Sequence, residues 1–196
     1  MWKVNEIFHS LQGEGYNTGT ASVFIRLSGC NLRCDFCDTR HEPGTMMSLP
    51  EIVERVMRYP RAPLVVLTGG EPSLWIDDDF VAGLKQLTGK RIAIETNGTH
   101  PLPHGIDWVT LSPKTGIGDS GDVPVVVNRC DELKVVYVGQ DLAQYNNISA
   151  TYRYLQPCWV SDEVQCRLNT QLTVQAVLDH PEWRLSLQTH RILDIK

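Results

Sequence analysis

The segment Cys30-Asn-Leu-Arg-Cys34-Asp-Phe-Cys37 places three thiols within eight residues, directly after the run Ser22-Val-Phe-Ile-Arg-Leu-Ser28 and Gly29. That run is apolar and β-branched, reads as a buried strand, and ends at the glycine. The thiols therefore sit on a loop at the C-terminal end of a core strand. Three thiolates on one short loop can wrap a compact metal centre without recruiting distant chain segments. Four would close an electron-transfer cluster, whereas three leave one iron open to bind and activate something else. Two plainer readings stand beside this one: a structural zinc site completed by His41, or a Cys34-x-x-Cys37 redox pair with Cys30 incidental. Six cysteines in 196 residues are too few for a disulfide scaffold, which favours ligation and a reducing, cytoplasmic setting. Cys130, Cys158 and Cys166 lack ligand-like spacing and read as small buried hydrophobes.

The rest of the chain has to supply a sheet around that loop. Ser48 with Glu51 three residues on, and Pro50 in the first turn, is a capping signature for a helix running to about Tyr59. Short apolar or β-branched runs predict strands at Leu64 to Thr68, Arg91 to Glu95, Trp108 to Ser112, Leu133 to Val138, Tyr152 to Gln156 and Arg184 to Gln188. Helical stretches fall near Asp79 to Leu87 and Thr170 to His180. This alternation predicts an α/β fold with a mainly parallel sheet. A full eight-fold barrel needs ~250 residues, and Pro101, Pro103 and Gly105 occupy the place of one crossover helix. The expectation is a partial (β/α) barrel with some crossover helices missing, built as one domain over residues 1–196. A formal charge of −5 argues against a nucleic-acid partner and for a small molecule. The chain shows no apolar run or leader that would direct it to a membrane or for export.

A second motif agrees with the first. Leu64-Val-Val-Leu-Thr-Gly-Gly-Glu-Pro72 is a strand running into two glycines, which allow close backbone approach, followed by a carboxylate able to accept hydrogen bonds from an ammonium group. Alone it is a turn; one βα unit after the cysteine loop, it resembles the radical S-adenosylmethionine (SAM) superfamily, whose signature also has an aromatic residue before the third cysteine, as Phe36 stands before Cys37. The resemblance implies a [4Fe-4S] cluster on Cys30, Cys34 and Cys37, with SAM chelating the open iron. Its cleavage would yield a 5′-deoxyadenosyl radical that abstracts a substrate hydrogen. Gly69, Gly70 and Glu71 inherit contacts to the SAM amino group.

Asn5 to Gly15, Cys37-Asp-Thr39, Glu95-Thr-Asn-Gly-Thr99, Ser112-Pro-Lys114 and Trp183 to His190 run in order along nearly the whole chain and resemble the 7-carboxy-7-deazaguanine synthase family. That family contracts the ring of 6-carboxy-5,6,7,8-tetrahydropterin with release of ammonia, a lyase reaction assisted by Mg²⁺, on the route to queuosine and related deazapurines. By resemblance Thr39 is a Mg²⁺ ligand; Phe36, Cys37, Asp38, Ser112, Pro113 and Lys114 contact SAM. Gln156, Pro157, Cys158 and Trp159 align with a further SAM-side loop, although Cys158 and Trp159 depart from the family in residue type, so that only a backbone role carries over. The substrate side comprises Leu11, Gln12, Gly13, Glu14, Thr68, His190 and Lys196. Arg26, a charge inside an apolar strand, would face the substrate carboxylate, or else an internal acidic partner. The radical is carried by SAM and substrate, so no side chain is assigned as acid or base. An electron donor such as flavodoxin or ferredoxin and a homodimer are implied in the same way. The rivals are an activase that makes a glycyl radical on a partner protein, and a non-enzymatic zinc or iron-sulfur binding module.

Overall fold

The computed structural model describes residues 1–37, 39, 41–117 and 123–196. Among these described residues nine strands form one sheet: β1 (Trp2–Leu11), β2 (Ala21–Leu27), β3 (Thr45–Met47), β4 (Leu64–Gly69), β5 (Arg91–Thr96), β6 (Trp108–Leu111), β7 (Arg129–Tyr137), β8 (Ser149–Pro157) and β9 (Arg184–Leu185). Their order is β3-β1-β2-β4-β5-β6-β7-β8-β9; β1 runs antiparallel to both β2 and β3, and the remaining pairs are parallel. The sheet stays open, since β3 and β9 are its two edges.

The helices that accompany it among the described residues are α1 (Leu49–Met57), α2 (Asp78–Thr88), α3 (Glu163–Asp179) and the single turn α4 (Thr189–Ile192). The Ser48–Glu51 cap forms, with the Glu51 carboxylate accepting from the Ser48 amide and hydroxyl at 2.7 and 2.6 Å. The Asp77 side chain caps α2 and that of Asp162 caps α3, each accepting an amide hydrogen bond at 2.8 Å. Because Asp162 supplies this start, α3 begins well before Thr170. The crossover from β5 to β6 contains no helix, and that from β7 to β8 has only the 3₁₀ turn Leu142–Tyr145. The partial barrel expected from chain length is thus what forms. No helix among the described residues is long and apolar enough to cross a membrane.

Side-chain alternation along the strands separates two faces. Val65 and Leu67 of β4, Ile25 and Leu27 of β2, and Ile92 and Ile94 of β5 pack on the helix side with Ile52 and Val56 of α1 and Phe80 and Leu84 of α2. Leu133, Val135 and Leu155 extend that layer beneath α3 with Tyr145 and Trp183. Phe8, Phe24, Leu64, Val66 and Ala93 cover the opposite face. By the same parity Glu6, Arg26, Thr68, Glu95, Glu132, Lys134 and Gln156 belong to this second face, a band of polar groups toward the C-terminal ends of the parallel strands.

Candidate functional site

A cavity of about 260 Å³ opens on this polar face. Its wall begins with the cysteine loop. Gly29 accepts from the Glu71 amide (2.9 Å) and Leu27 from the Gly70 amide (3.0 Å), so the β4 loop holds the first cysteine's approach in place. Only glycines fit here: a Cβ on Gly70 would lie 2.0 Å from the Gly29 carbonyl oxygen, and Gly69 has φ +122° with Leu27 backbone 2.2 Å from any added Cβ. Asn31 fastens the other side of the loop, donating to Thr99 Oγ1 (2.8 Å) and accepting from Asn97 Nδ2 (3.1 Å).

Cys30, Cys34 and Cys37 all line the cavity, and all are free thiols. Burial raises the Cys30 and Cys34 pKa values, the neighbouring thiol and carboxylate groups add to this, and the Lys114 ammonium works against it. Three thiols around a shared concavity suit a multi-iron cluster, in which each thiolate meets a different iron. Among the described residues no three His, Cys, Asp or Glu side chains are grouped around a single-ion position.

Glu71 is 1 % exposed and already well supplied with donors. Its Oε1 accepts from the Ser73 amide (3.0 Å), the Ser73 hydroxyl (2.7 Å) and Thr96 Oγ1 (2.7 Å), and its Oε2 from the Asn97 amide (2.7 Å). The carboxylate thus welds the β4 and β5 ends together, and Oε2 retains acceptor capacity toward the cavity. Lys114 is held by the Ser112 carbonyl and hydroxyl at 2.8 and 2.7 Å, and burial lowers its pKa.

The opposite wall is the loop after β1. Gln12 Nε2 donates to Glu95 Oε1 at 3.0 Å, Thr68 Oγ1 donates to Glu95 Oε2 at 3.1 Å, and Glu14 pairs with Lys134. Burial pushes the Glu14 carboxyl up, but the Lys134 charge and hydrogen bond outweigh it, with Gln188 and His190 adding, and hold it down at about 2. Lys134 itself is pushed up: burial disfavours its charge, yet Glu14, Glu95 and Glu132 together more than offset that. Arg26 Nε lies 3.3 Å from Glu6 Oε1, and its Nη1 donates to Thr39 Oγ1 at 3.0 Å. The internal acidic partner expected as the alternative for Arg26 is therefore present, while the guanidinium still lines the cavity.

Of the residues expected from sequence, Leu11, Gln12, Gly13, Glu14, Arg26, Phe36, Thr39, Thr68, Gly69, Gly70, Glu71, Ser112, Lys114, Gln156, Pro157, Trp159, His190 and Lys196 line this cavity with the three cysteines. Pro113 is buried and outside its lining, and Cys158 faces a neighbouring cavity with Cys166. Asp38 lies outside the described residues. His190 packs directly on Gly13, and Lys196 pairs with Glu6. Sequence reasoning missed Lys134 and gave Glu95 no role. The signal for Lys134 was available: like Arg26, it is a lone charge between apolar strand neighbours, Leu133 and Val135.

Comparison with known proteins places this geometry. Residues 24–116 match the radical SAM superfamily model. A 7-carboxy-7-deazaguanine synthase from Bacteroides thetaiotaomicron is 57% identical over 196 residues, covering all of both chains. This chain belongs to the 7-carboxy-7-deazaguanine synthase family. Another such synthase, from Caulobacter vibrioides, is 39% identical over 99% of each chain. The crystal structure of QueE from Escherichia coli superposes with a TM-score of 0.75 at 29% identity, covering 95% of this chain and 93% of that one. The radical SAM fold and its partial, open sheet thus agree with the family, which is one of radical SAM lyases.

Proposed function

We propose that this protein is a 7-carboxy-7-deazaguanine synthase, converting 6-carboxy-5,6,7,8-tetrahydropterin to 7-carboxy-7-deazaguanine with loss of ammonia. The observation that carries this reading is one continuous cavity bounded on one side by three thiols and on the other by the loop Gln12 to Glu14. In it Cys30, Cys34 and Cys37 would hold three irons of the [4Fe-4S] cluster. Gly69, Gly70, Glu71, Ser112 and Lys114 would orient SAM. The bound cluster and SAM supply a one-electron cleavage that delivers a hydrogen-abstracting carbon radical. Everything else falls to the protein: Gln12, Glu14, Thr68 and His190 fix the pterin edge through amide, carboxylate, hydroxyl and imidazole groups, and Arg26 meets its carboxylate. The apolar Phe8 and Phe24 form the surface behind Arg26.

Thr39 offers a hard hydroxyl oxygen suited to Mg²⁺. Its Oγ1 already accepts from Arg26, whose positive charge repels a bare cation. This favours Mg²⁺ binding together with the substrate carboxylate, whose negative charge offsets part of that repulsion. Completing the reading are a single radical SAM domain over residues 1–196, a low-potential electron donor such as flavodoxin or ferredoxin, a homodimer, a cytoplasmic setting and a place in queuosine or related deazapurine biosynthesis. They rest on family membership.

The test is anaerobic turnover of reconstituted, reduced protein with SAM, Mg²⁺ and 6-carboxytetrahydropterin, read by mass spectrometry. Formation of 7-carboxy-7-deazaguanine that disappears in Cys34→Ala is the expected result. SAM cleavage without the deazapurine would retain the superfamily and refute the substrate.

A further inference from the structure

The loop after β8 and the segment after β9 meet over the cavity through one stacked pair. The Arg191 guanidinium lies 3.8 Å from the ring centroid of Trp159. Arg191 Nε donates to Gln188 Oε1 at 3.0 Å, Gln188 Nε2 donates to Glu14 Oε1 at 2.8 Å, and Glu14 is paired with Lys134. The Thr189 amide and hydroxyl both donate to the Gly13 carbonyl at 2.9 Å. An unbroken line of contacts thus runs from Trp159, beside the proposed SAM position, to Gly13 and Glu14, at the proposed pterin position. Trp159 is 45 % exposed, so the stack lies at the rim rather than in the core. Both of its members line the main cavity and its neighbour.

We infer that Trp159 and Arg191 are positioning residues that clasp the two ligand loops together, so that SAM and the pterin each strengthen binding of the other. This rests on the site reading given above. A ligand that fixes one loop also fixes its end of the clasp, and the second ligand then meets a loop already ordered. Arginine suits the role because its planar guanidinium can stack on an indole while its in-plane Nε–H donates sideways to Gln188. Lysine at this position could do one or the other.

The test uses reconstituted, cluster-loaded enzyme kept unreduced so that no turnover occurs. SAM affinity is measured by calorimetry without and with saturating 6-carboxytetrahydropterin. In the wild type the pterin tightens SAM binding. Trp159→Ala and Arg191→Ala each cut that enhancement by about two- to fivefold, the range expected for one exposed cation–π contact. Trp159→Phe preserves most of it, and the reverse titration, pterin with and without SAM, loses the same factor. Arg191→Lys, which can keep the stack or the Gln188 bond but not both, loses part of the enhancement too, and carries the test even where an alanine variant misfolds. Lowered SAM affinity with an unchanged enhancement means a merely structural role and overturns the clasp, as does a wild type that binds both ligands independently. A wild type that binds SAM but no pterin overturns the site reading, and the clasp with it.

Discussion

Replacing Glu14 by Gln removes the negative partner of the buried Lys134 ammonium while keeping the side-chain shape and an acceptor for Gln188. The Glu14 carboxyl is held at about 2 against an ordinary 4.5, and at about 1.4 kcal/mol per pH unit that gap is worth about 3 kcal/mol of folding stability. The two side chains are 7 and 15 % exposed, so little of this is lost to solvent screening. An independent expectation for removing one partner of a buried ion pair, about 3 to 5 kcal/mol, falls in the same range. Because the folded carboxyl is depressed, its contribution is complete above pH 4.5 and disappears as the pH falls toward 2. Urea denaturation followed by circular dichroism should therefore show Glu14→Gln less stable than wild type by about 3 kcal/mol at pH 7 and by about half that at pH 3. Adding Lys134→Met to Glu14→Gln should cost less than the two single losses summed. Equal stability at pH 7, or a difference that does not shrink at pH 3, would refute the assignment of Glu14 as the counter-charge.

Three further outcomes concern other residues of the cavity. Gly70→Ala, which forces a methyl against the Gly29 carbonyl, should cost about 1 to 3 kcal/mol by overpacking and reduce iron uptake on reconstitution by displacing Cys30. Normal iron content would show that the β4 loop does not position that thiol. Glu71→Gln turns an acceptor facing buried donors into a donor, so thermal denaturation should report a loss of about 1 to 3 kcal/mol; an unchanged midpoint would contradict the welding role. Thr39→Ala should raise the Mg²⁺ concentration for half-maximal turnover by about tenfold, or about 1.4 kcal/mol, with Thr39→Ser close to wild type. An unaltered Mg²⁺ dependence removes Thr39 from the metal's shell.

The parallel core strands were legible because they are buried on both faces and read as continuous apolar runs; β4 and β5 begin where expected and extend only one residue further. β1 was not, since a register shift between Val4 and Glu6 puts Val4 and Phe8 on opposite faces of the sheet, so no continuous period-two pattern marks the strand. The expected strand at Arg184 stops at Leu185, because Ser186 turns its hydroxyl to Gln156 and Gly15 and Gln188 turns its amide to Glu14. α3 was placed late because its outward face carries Val164, Leu168 and Leu172, so no single apolar stripe marks where the helix begins. The thiol loop and the two glycines were visible as motifs. The Glu14, Glu95 and Lys134 cluster was not, because three different strands or loops bring it together.

The rim of the cavity is fastened by Gln188 to Glu14 and by Thr189 to Gly13, pairs separated by 174 and 176 positions in the chain. The loop around Gly13 and Glu14 and the segment around Gln188 and Thr189 therefore form one functional part that a protein engineer would have to treat as a unit. A change at Gln188 or Thr189 edits the mouth of the ligand chamber as directly as a change at Gly13 would. A grafted or recombined variant would keep its chamber only if both ends came from the same parent.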